Sequence, residues 1–290
     1  MTWVNVVVQG ILLGGLYALF ACGLSVMFGV MRIVNLAHGD LAVIGAFLAF
    51  SFMSFAGVNA LVAALVVVPV MAVLGYVLQR GLLQRSLSSG PFSTLLATFG
   101  LSIIIQNVLL QHYSADSHSL DVGRLASGSF YVNSEISIAY LSIIAFVLAV
   151  AVLLALQTFL SRTGLGRMMR ASSDDPEAAQ LVGGDSVHIY GVATAIALAT
   201  VAIAGLLFAM RSSFSPSTGP TRLLFAFEAV VIGGLGSIWG TFLGGMVLGL
   251  AQTVGAQIDP ALTLLSGHLI FLAVLAFRPQ GIIPARSERS

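Results

Sequence analysis

The chain is a succession of long apolar segments separated by short polar or glycine- and proline-containing connections. The segments fall at about 4–30, 40–56, 59–79, 92–111, 136–160, 189–210, 223–258 and 262–277. A bilayer core about 30 Å thick requires roughly 20 apolar residues per helical span. Soluble domains are about 25% charged, whereas this chain is 58% hydrophobic and only 8% charged. A water-soluble fold of this length could not bury so much apolar surface.

These segments are expected to be helices, because backbone amides cannot stay unpaired in hydrocarbon and the segments are too uniformly apolar for barrel strands. The sequence therefore predicts an all-α polytopic membrane protein, a bundle of about eight transmembrane helices. We expect residues 1–290 to form a single transmembrane domain. The N-terminal residues lack the basic region of a signal peptide, so the first segment is expected to be retained as a helix.

Two places interrupt the apolar pattern within the predicted membrane zone. Residues 223–258 are too long for one straight span and short for two, which favours a half-helix that returns into a full helix. Gly233, Gly234 and Gly236 are expected to form a hinge in this segment, or alternatively to serve close helix packing. The polar stretch Asn35–Asp40 breaks the N-terminal half in a similar way. We therefore expect one or two broken or re-entrant segments, a device common in transporters.

The arginines indicate the orientation, because arginines beside short loops mark the cytoplasmic side. If the loop with Arg162, Arg167 and Arg170 is cytoplasmic, the alternation of spans puts Arg80 and Arg85 on the same side. The C-terminal tail then also lies inside, and the longest external connection is about 112–135. Of the remaining arginines in these regions, the tail carries Arg278, Arg286 and Arg289, and the outer loops carry Arg124, Arg211 and Arg222.

Several classes of function are excluded by composition and motif. The net charge is +1 and no basic tail or patch is present, which excludes nucleic-acid binding. All 12 basic residues are arginine, so a Walker-type phosphate loop with its lysine cannot exist in this chain. Cys22 is the only cysteine and is expected to be a packing residue. No serine is framed as a nucleophile elbow. We therefore expect no catalytic centre and no metal site.

The main internal loop, at about 161–188, contains the most informative stretch of the sequence. Residues 167–185 predict a short surface helix with defined ends. Ser173 or Asp174 can cap its start, Glu177 is favoured in its first turn, and Gly183 or Gly184 can end it. The alternative interpretation is an ordinary capped loop helix.

A few polar residues lie within the predicted membrane zone, where an ionised group is costly and usually faces protein or a water-filled path. The main candidates are Asn35, His38, Asp40 and Glu228. They suit the polar part of a route for a zwitterion, or alternatively they support the helix arrangement. His268 stands alone in the last segment without a second ligand at metal-binding spacing, so we expect a structural role for it.

Residues 177–183, EAAQLVG, match the EAA-x-x-x-G pattern of ABC importer permeases, in which the corresponding helix docks into a groove on a cytoplasmic ATPase. Residues 32–40, RIVNLAHGD, and 227–245, FEAVVIGGLGSIWGTFLGG, resemble the two most recognisable blocks of LivH-type permeases. The C-terminal FRPQGI, residues 277–282, also fits that family. The chain thus resembles a LivH-type permease subunit of branched-chain amino acid ABC importers over nearly its whole length.

This resemblance implies a multi-pass subunit of the bacterial inner membrane that forms a translocation path with a homologous second permease subunit. Two cytoplasmic ABC ATPase subunits would bind ATP and Mg, and an external substrate-binding protein would deliver the amino acid, while this chain itself holds no cofactor. The residues expected to couple the subunit to the ATPase are Asp175, Glu177, Ala178, Ala179 and Gly183.

Other interpretations stay open at this stage. An ABC permease for another small solute, such as urea, an amide, a carboxylate or a sugar, shares the broken helices and the EAA-like loop. An ion-coupled secondary transporter also shows broken helices and buried charges, but it works without an ATPase. A membrane-embedded scaffold would need no route at all.

Overall fold

A computed structural model describes residues 3–123, 125, 128–133 and 136–283. The first half contains α1 (Trp3–Met31), α2 (His38–Ala56), α3 (Ala60–Leu78), α4 (Gln84–Leu87), α5 (Pro91–Tyr113) and the strands β1 (Ser129–Asn133) and β2 (Ile136–Ala139). The second half contains α6 (Tyr140–Arg162), α7 (Gly164–Asp174), α8 (Pro176–Leu181), α9 (Ser186–Arg211), α10 (Gly219–Gly233), α11 (Ile238–Ile258) and α12 (Leu262–Phe277). Arg124, Glu135, Arg286 and Arg289 lie outside the described residues.

In the described part of the chain, seven helical segments are long and apolar enough to cross a membrane, and α12 is a shorter apolar helix of 16 residues. One of the seven runs continuously from α3 through a π-helical turn at Gln79–Leu83 into α4. The prediction of an all-α polytopic membrane protein is confirmed. α10 has 15 residues and is about 22 Å long at 1.5 Å per residue, less than a full crossing.

α1 and α9 form the centre of the bundle. In the most apolar stretch of each helix, 83% of the residues of α1 and 72% of those of α9 are buried. The corresponding share is only 22% in the continuous helix α3–α4 and in α6. α1 packs most extensively on α11, and glycines allow this close approach. A Cβ on Gly14 would lie 2.5 Å from the Met246 Cα, and a Cβ on Gly245 would lie 2.7 Å from the Gly14 carbonyl oxygen. Larger side chains here would force the two helices apart.

The connection from α5 to α6 is more structured than the sequence predicted. β1 and β2 form an antiparallel hairpin, so that α6 begins only at Tyr140 and not at residue 136. His118 and Phe214 exchange two backbone hydrogen bonds of 2.8 Å, which tie this connection to the segment that follows α9. Gln9 donates to the Ser137 carbonyl oxygen at 2.8 Å. The start of α1 therefore lies at the same end of the bundle as the hairpin, which we call the hairpin end.

The opposite end, called the α8 end, gathers several pieces of the chain. The Tyr76 hydroxyl lies 3.0 Å from His188 Nδ1, which places the end of α3 beside the start of α9. Ile282 and Ile283 donate backbone hydrogen bonds of 2.9 Å to Ile232 and Gly233, which brings the C-terminal residues to the end of α10. The single helix α6 runs from the hairpin end, where β2 precedes it, to this end, where α7 and α8 follow it.

Candidate coupling helix and polar groups of the bundle

α8 is a single short helix with a well-defined start. The Asp175 carboxylate accepts hydrogen bonds of 3.0 Å from the backbone amides of Glu177 and Ala178. The prediction that Ser173 or Asp174 caps this helix is wrong by one or two residues, because residues up to Asp174 belong to the preceding helix α7. The extended backbone of Asp175, with φ −148° and ψ 100°, separates the two helices and frees its side chain to act as the cap.

α8 ends at glycines, as expected from the sequence. The Gly184 amide donates to the Ala179 carbonyl oxygen at 2.8 Å, and the Gly183 amide donates to the Gln180 carbonyl oxygen at 3.0 Å. Gly183 has φ +91°, a conformation that side chains with a Cβ rarely adopt. These bonds pair carbonyl groups of the last turn and stop the helix.

The surface of α8 is divided sharply between an inner and an outer side. Ala179 is 2% exposed and faces the bundle, whereas Glu177 and Ala178 are exposed. Leu181 is 89% exposed and Val182 is 75% exposed. No described residue covers these two large apolar side chains at the end of the capped helix, and their burial by a partner would be favourable.

α7 holds α8 in place and carries positive charge. The Thr163 hydroxyl caps α7 by accepting from the Gly166 amide at 3.0 Å, and Met169 is fully buried beneath the helix. The side chains of Arg162, Arg167 and Arg170 are exposed around this helix. The arginine-rich surface and the apolar tip of α8 therefore lie at one end of the molecule.

The break between α1 and α2 places three of the predicted polar residues inside the protein. Asn35 and His38 are 0% exposed and Asp40 is 1% exposed. Asn35 orders the start of α2, because its side-chain oxygen accepts from the Ala37 amide at 3.0 Å. His38 Nε2 lies 3.1 Å from the Phe20 carbonyl oxygen in α1. Both residues tie the broken ends of the helices together.

Asp40 joins three helices at the start of α2. Ser102, at the centre of α5, donates to Asp40 Oδ2 at 2.5 Å, and Gln106 donates to the Ser102 hydroxyl at 3.1 Å. A Cβ on Gly219 would overlap Asp40 Oδ1, so the first residue of α10 lies directly against this carboxylate. Because helix N-termini carry partial positive charge, the Asp40 carboxylate lies where it can stabilise the first turn of α10, in which Gly219 is buried.

Glu228, the fourth predicted polar residue, has a partner that the sequence did not reveal. Its side chain is 2% exposed, and its Oε1 lies 2.5 Å from His268 Nδ1 in α12. Glu228 Oε2 has no hydrogen-bond partner among the described residues. His268 is therefore not an isolated histidine. It binds the half-helix α10 to the last helix.

A second buried pair lies close to Glu228 and was also missed. The Tyr17 hydroxyl in α1 donates to Gln252 Oε1 in α11 at 2.5 Å, and the Tyr17 ring packs on Phe225 of α10 at 5.1 Å between centroids. A tyrosine or glutamine within an apolar run carries only a weak signal, because hydrogen-bonded polar side chains are common between membrane helices. The distance of 235 residues between the partners leaves no local pattern to detect.

The glycines predicted to break the segment 223–258 lie at a helix junction. Gly233 is the last residue of α10, Gly234 has φ +112°, and Gly236 has φ +78°. A Cβ on Gly233 would overlap the Gly240 carbonyl oxygen of α11, so the break also allows tight packing. A short half-helix, α10, thus returns into the full-length helix α11.

The four polar residues do not meet in one open site. Asn35, His38 and Asp40 cluster where α2 begins, whereas Glu228 contacts α12, and all four are closed off by their own subunit. The structure assembles no set of three or more metal-ligating side chains within the described ranges. Each of the four residues therefore lies at a junction between helices.

The seven long apolar helices of the described residues define a multi-pass, all-α membrane protein. The family model of the branched-chain amino acid transport system permease component matches residues 6–276. The chain belongs to this family.

Several curated proteins are similar to this chain. BraD of Pseudomonas aeruginosa, a high-affinity branched-chain amino acid transport system permease protein, is 32% identical over 95% of this chain and 94% of its own. LivH of Escherichia coli K12, a permease protein of the same type of system, is 27% identical over 95% of this chain and 93% of its own. LivM of Salmonella typhimurium, also a permease protein of such a system, is 30% identical over 51% of this chain and 35% of its own. The resemblance to LivH-type permeases is confirmed.

Proposed function

We propose that this chain is the permease subunit of an ATP-driven importer that carries leucine, isoleucine, valine or closely related amino acids across the bacterial inner membrane. The names of BraD and LivH, similar over 95% of this chain, support the substrate class. The single structural observation that carries the proposal is α8, with its capped start and its exposed tip at Leu181 and Val182. As one transmembrane domain, residues 1–290, the chain would present this helix from a cytoplasmic loop at about 161–188.

The energy would come from partner subunits. Two ABC ATPases would bind ATP and Mg and grip α8, so this chain needs neither its own cofactor nor its own hydrolytic site. Asp175 would fix the start of this coupling helix, and Gly183 would fix its end. The residues between them that contact the ATPase or support the helix would be Glu177, Ala178 and Ala179. A groove that accepts an amphipathic helix would bury the apolar tip. A second, homologous permease subunit, like LivM, would complete the path, and an external binding protein would deliver the substrate at the hairpin end.

We propose that the four buried polar residues line the translocation path only after a helix has moved. In this conformation Asn35, His38, Asp40 and Glu228 are shielded by their own subunit. We infer that they border the translocation path when α10 moves away from α2 and α12, which would separate Gly219 from Asp40 and Glu228 from His268. The glycines at 233, 234 and 236 would allow this movement as a hinge. Alternating access requires such a change between two packed arrangements.

The function is tested by uptake into proteoliposomes that contain the assembled complex with its ATPases and binding protein. We expect leucine uptake that requires ATP and the binding protein and that survives collapse of ion gradients. Uptake that an ion gradient drives without ATP would contradict the proposal and indicate a secondary transporter. ATP-dependent uptake of urea, an amide or a sugar in place of leucine would support the assignment as an importer but contradict the proposed substrate.

The coupling helix is tested in the same system. Gly183→Trp or Ala178→Arg is expected to leave membrane insertion intact and to uncouple ATP hydrolysis from uptake, because a bulky or charged side chain would block the contact of α8 with its groove. Gly57→Trp is a matched control, since Gly57 also has a positive φ, of +64°, a Cβ there meets no atom within 4 Å, and the residue lies between α2 and α3. Normal uptake by both α8 variants would refute the coupling assignment.

A further inference from the structure

An apolar cavity of about 150 Å³ lies between α3, α6 and α9 at the hairpin end of the bundle. Ala64 lines it from the first turns of α3, Ile144 and Leu148 from α6, and Leu207 from the last turns of α9. Val122, in the connection after α5, also lines it. The described lining side chains are all apolar.

The cavity has a buried floor and a lipid-facing rim. Leu206 and Leu207 are 2% and 7% exposed, so the wall formed by α9 belongs to the core. Leu61 and Ile144, by contrast, are 65% and 40% exposed on the outer surface of the bundle. α3 and α6 thus flank α9 and leave between them an opening toward the surrounding hydrocarbon.

Such a cavity is poorly suited to water and well suited to a hydrocarbon ligand. A cavity of about 150 Å³ lined by leucine, isoleucine and phenylalanine stays dry and binds small apolar molecules. Left empty, its lining atoms would lose their dispersion contacts on one side. The apolar molecules that surround a membrane-spanning helix are lipid acyl chains.

The size of the cavity excludes a whole transmembrane helix as its occupant, and its opening toward hydrocarbon favours a lipid chain. A transmembrane helix with its side chains is about 10–12 Å across, too wide for a cavity of about 150 Å³. A single acyl chain is narrow and flexible enough to enter between two helices. We propose that this cavity is a binding site for one acyl chain of a bilayer phospholipid, held between α3, α6 and α9.

The site is tested by photo-labelling the assembled complex in membranes that contain phosphatidylglycerol with a diazirine group in its acyl chain. After irradiation, peptides from the starts of α3 and α6 and from the end of α9 are expected to carry at least fivefold more label than other lipid-facing peptides. Ala64→Phe fills the cavity and is expected to abolish this enrichment. Val73→Phe places the same side chain on the exposed face of α3, where Val73 is 64% exposed, and should leave the labelling unchanged.

A second measurement separates loss of the site from loss of the fold. Adding phosphatidylglycerol to the delipidated complex is expected to raise the thermal unfolding temperature of the unaltered protein and of the Val73→Phe variant, but not that of Ala64→Phe. Should Ala64→Phe fail to assemble, Ala64→Leu is expected to lose about half of the enrichment. Uniform labelling of all lipid-facing helices, enrichment that Ala64→Phe does not change, or labelling only by a photoreactive free fatty acid would each overturn the proposal.

Discussion

The tip of α8 offers a sharp quantitative test of the proposed ATPase contact. Leu181 is 89% exposed in the permease alone, so nearly its whole side chain is available for burial by a partner. Complete burial of a leucine side chain is worth about 1.5–3 kcal/mol, and ordering its rotamers costs about 0.5–1 kcal/mol. The net gain of roughly 1.5 kcal/mol corresponds to about a tenfold change in Kd.

Leu181→Ala is therefore expected to weaken binding of the ATPase to the permease pair about tenfold. Alanine keeps the helix propensity of the position, so the change removes apolar contact area without unfolding α8. The assay is a titration of labelled ATPase onto the permease pair in lipid nanodiscs. Phe130→Ala is the control, because Phe130 is 53% exposed but lies on the hairpin at the other end of the bundle. Unchanged binding by Leu181→Ala, or equal weakening by both variants, would refute the reasoning.

Three further predictions follow from the contacts described above. Asp175→Ala removes two hydrogen bonds of 3.0 Å from the start of α8 and should cost about 1 kcal/mol of helix stability. It is expected to lower the number of leucine molecules imported per ATP hydrolysed, whereas Asp175→Asn should keep that number unchanged. His268→Ala leaves Glu228 buried without its partner and should lower the thermal unfolding temperature, and adding Glu228→Gln should recover part of that decrease. Glu228→Gln alone should reduce uptake more than it reduces the amount of assembled complex. Equal decreases in both would assign the carboxylate to packing only. Gly245→Leu would overlap the Gly14 carbonyl oxygen and is expected to abolish the monodisperse complex in size-exclusion chromatography, whereas Gly100→Leu, on an open surface, should not.

The fold could be predicted largely from hydropathy, because the bilayer imposes helices of defined length on any apolar segment. The break at Asn35–Asp40 and the break at Gly233–Gly236 could be located for the same reason, since polar and glycine-rich stretches stand out in an apolar background. The hairpin of β1 and β2 could not be predicted, because its strands are only five and four residues long. The second strand also merges with the apolar segment that continues as α6.

The contacts that hold the bundle together were less accessible to the sequence. The cap at Asp175 was displaced by one or two residues because Ser173, Asp174 and Asp175 all have side chains that favour this position, and only the backbone decides among them. The pairs Glu228–His268 and Tyr17–Gln252 join residues 40 and 235 positions apart, so their existence depends on the packing of whole helices. A buried carboxylate does indicate that a partner exists, but it does not say which helix supplies it.

The contact between α8 and the ATPase can be measured by labelling an introduced cysteine. The only cysteine of the chain, Cys22, is buried, so little background labelling is expected. Val182, 75% exposed at the tip of α8, is replaced by cysteine and labelled with a benzophenone maleimide in the permease pair before the ATPase is added. We expect a photo-crosslink to the ATPase subunit, with a yield that changes when ATP is added. Labelling of this cysteine from the external side of the membrane, or crosslinks to lipid and permease alone, would contradict it.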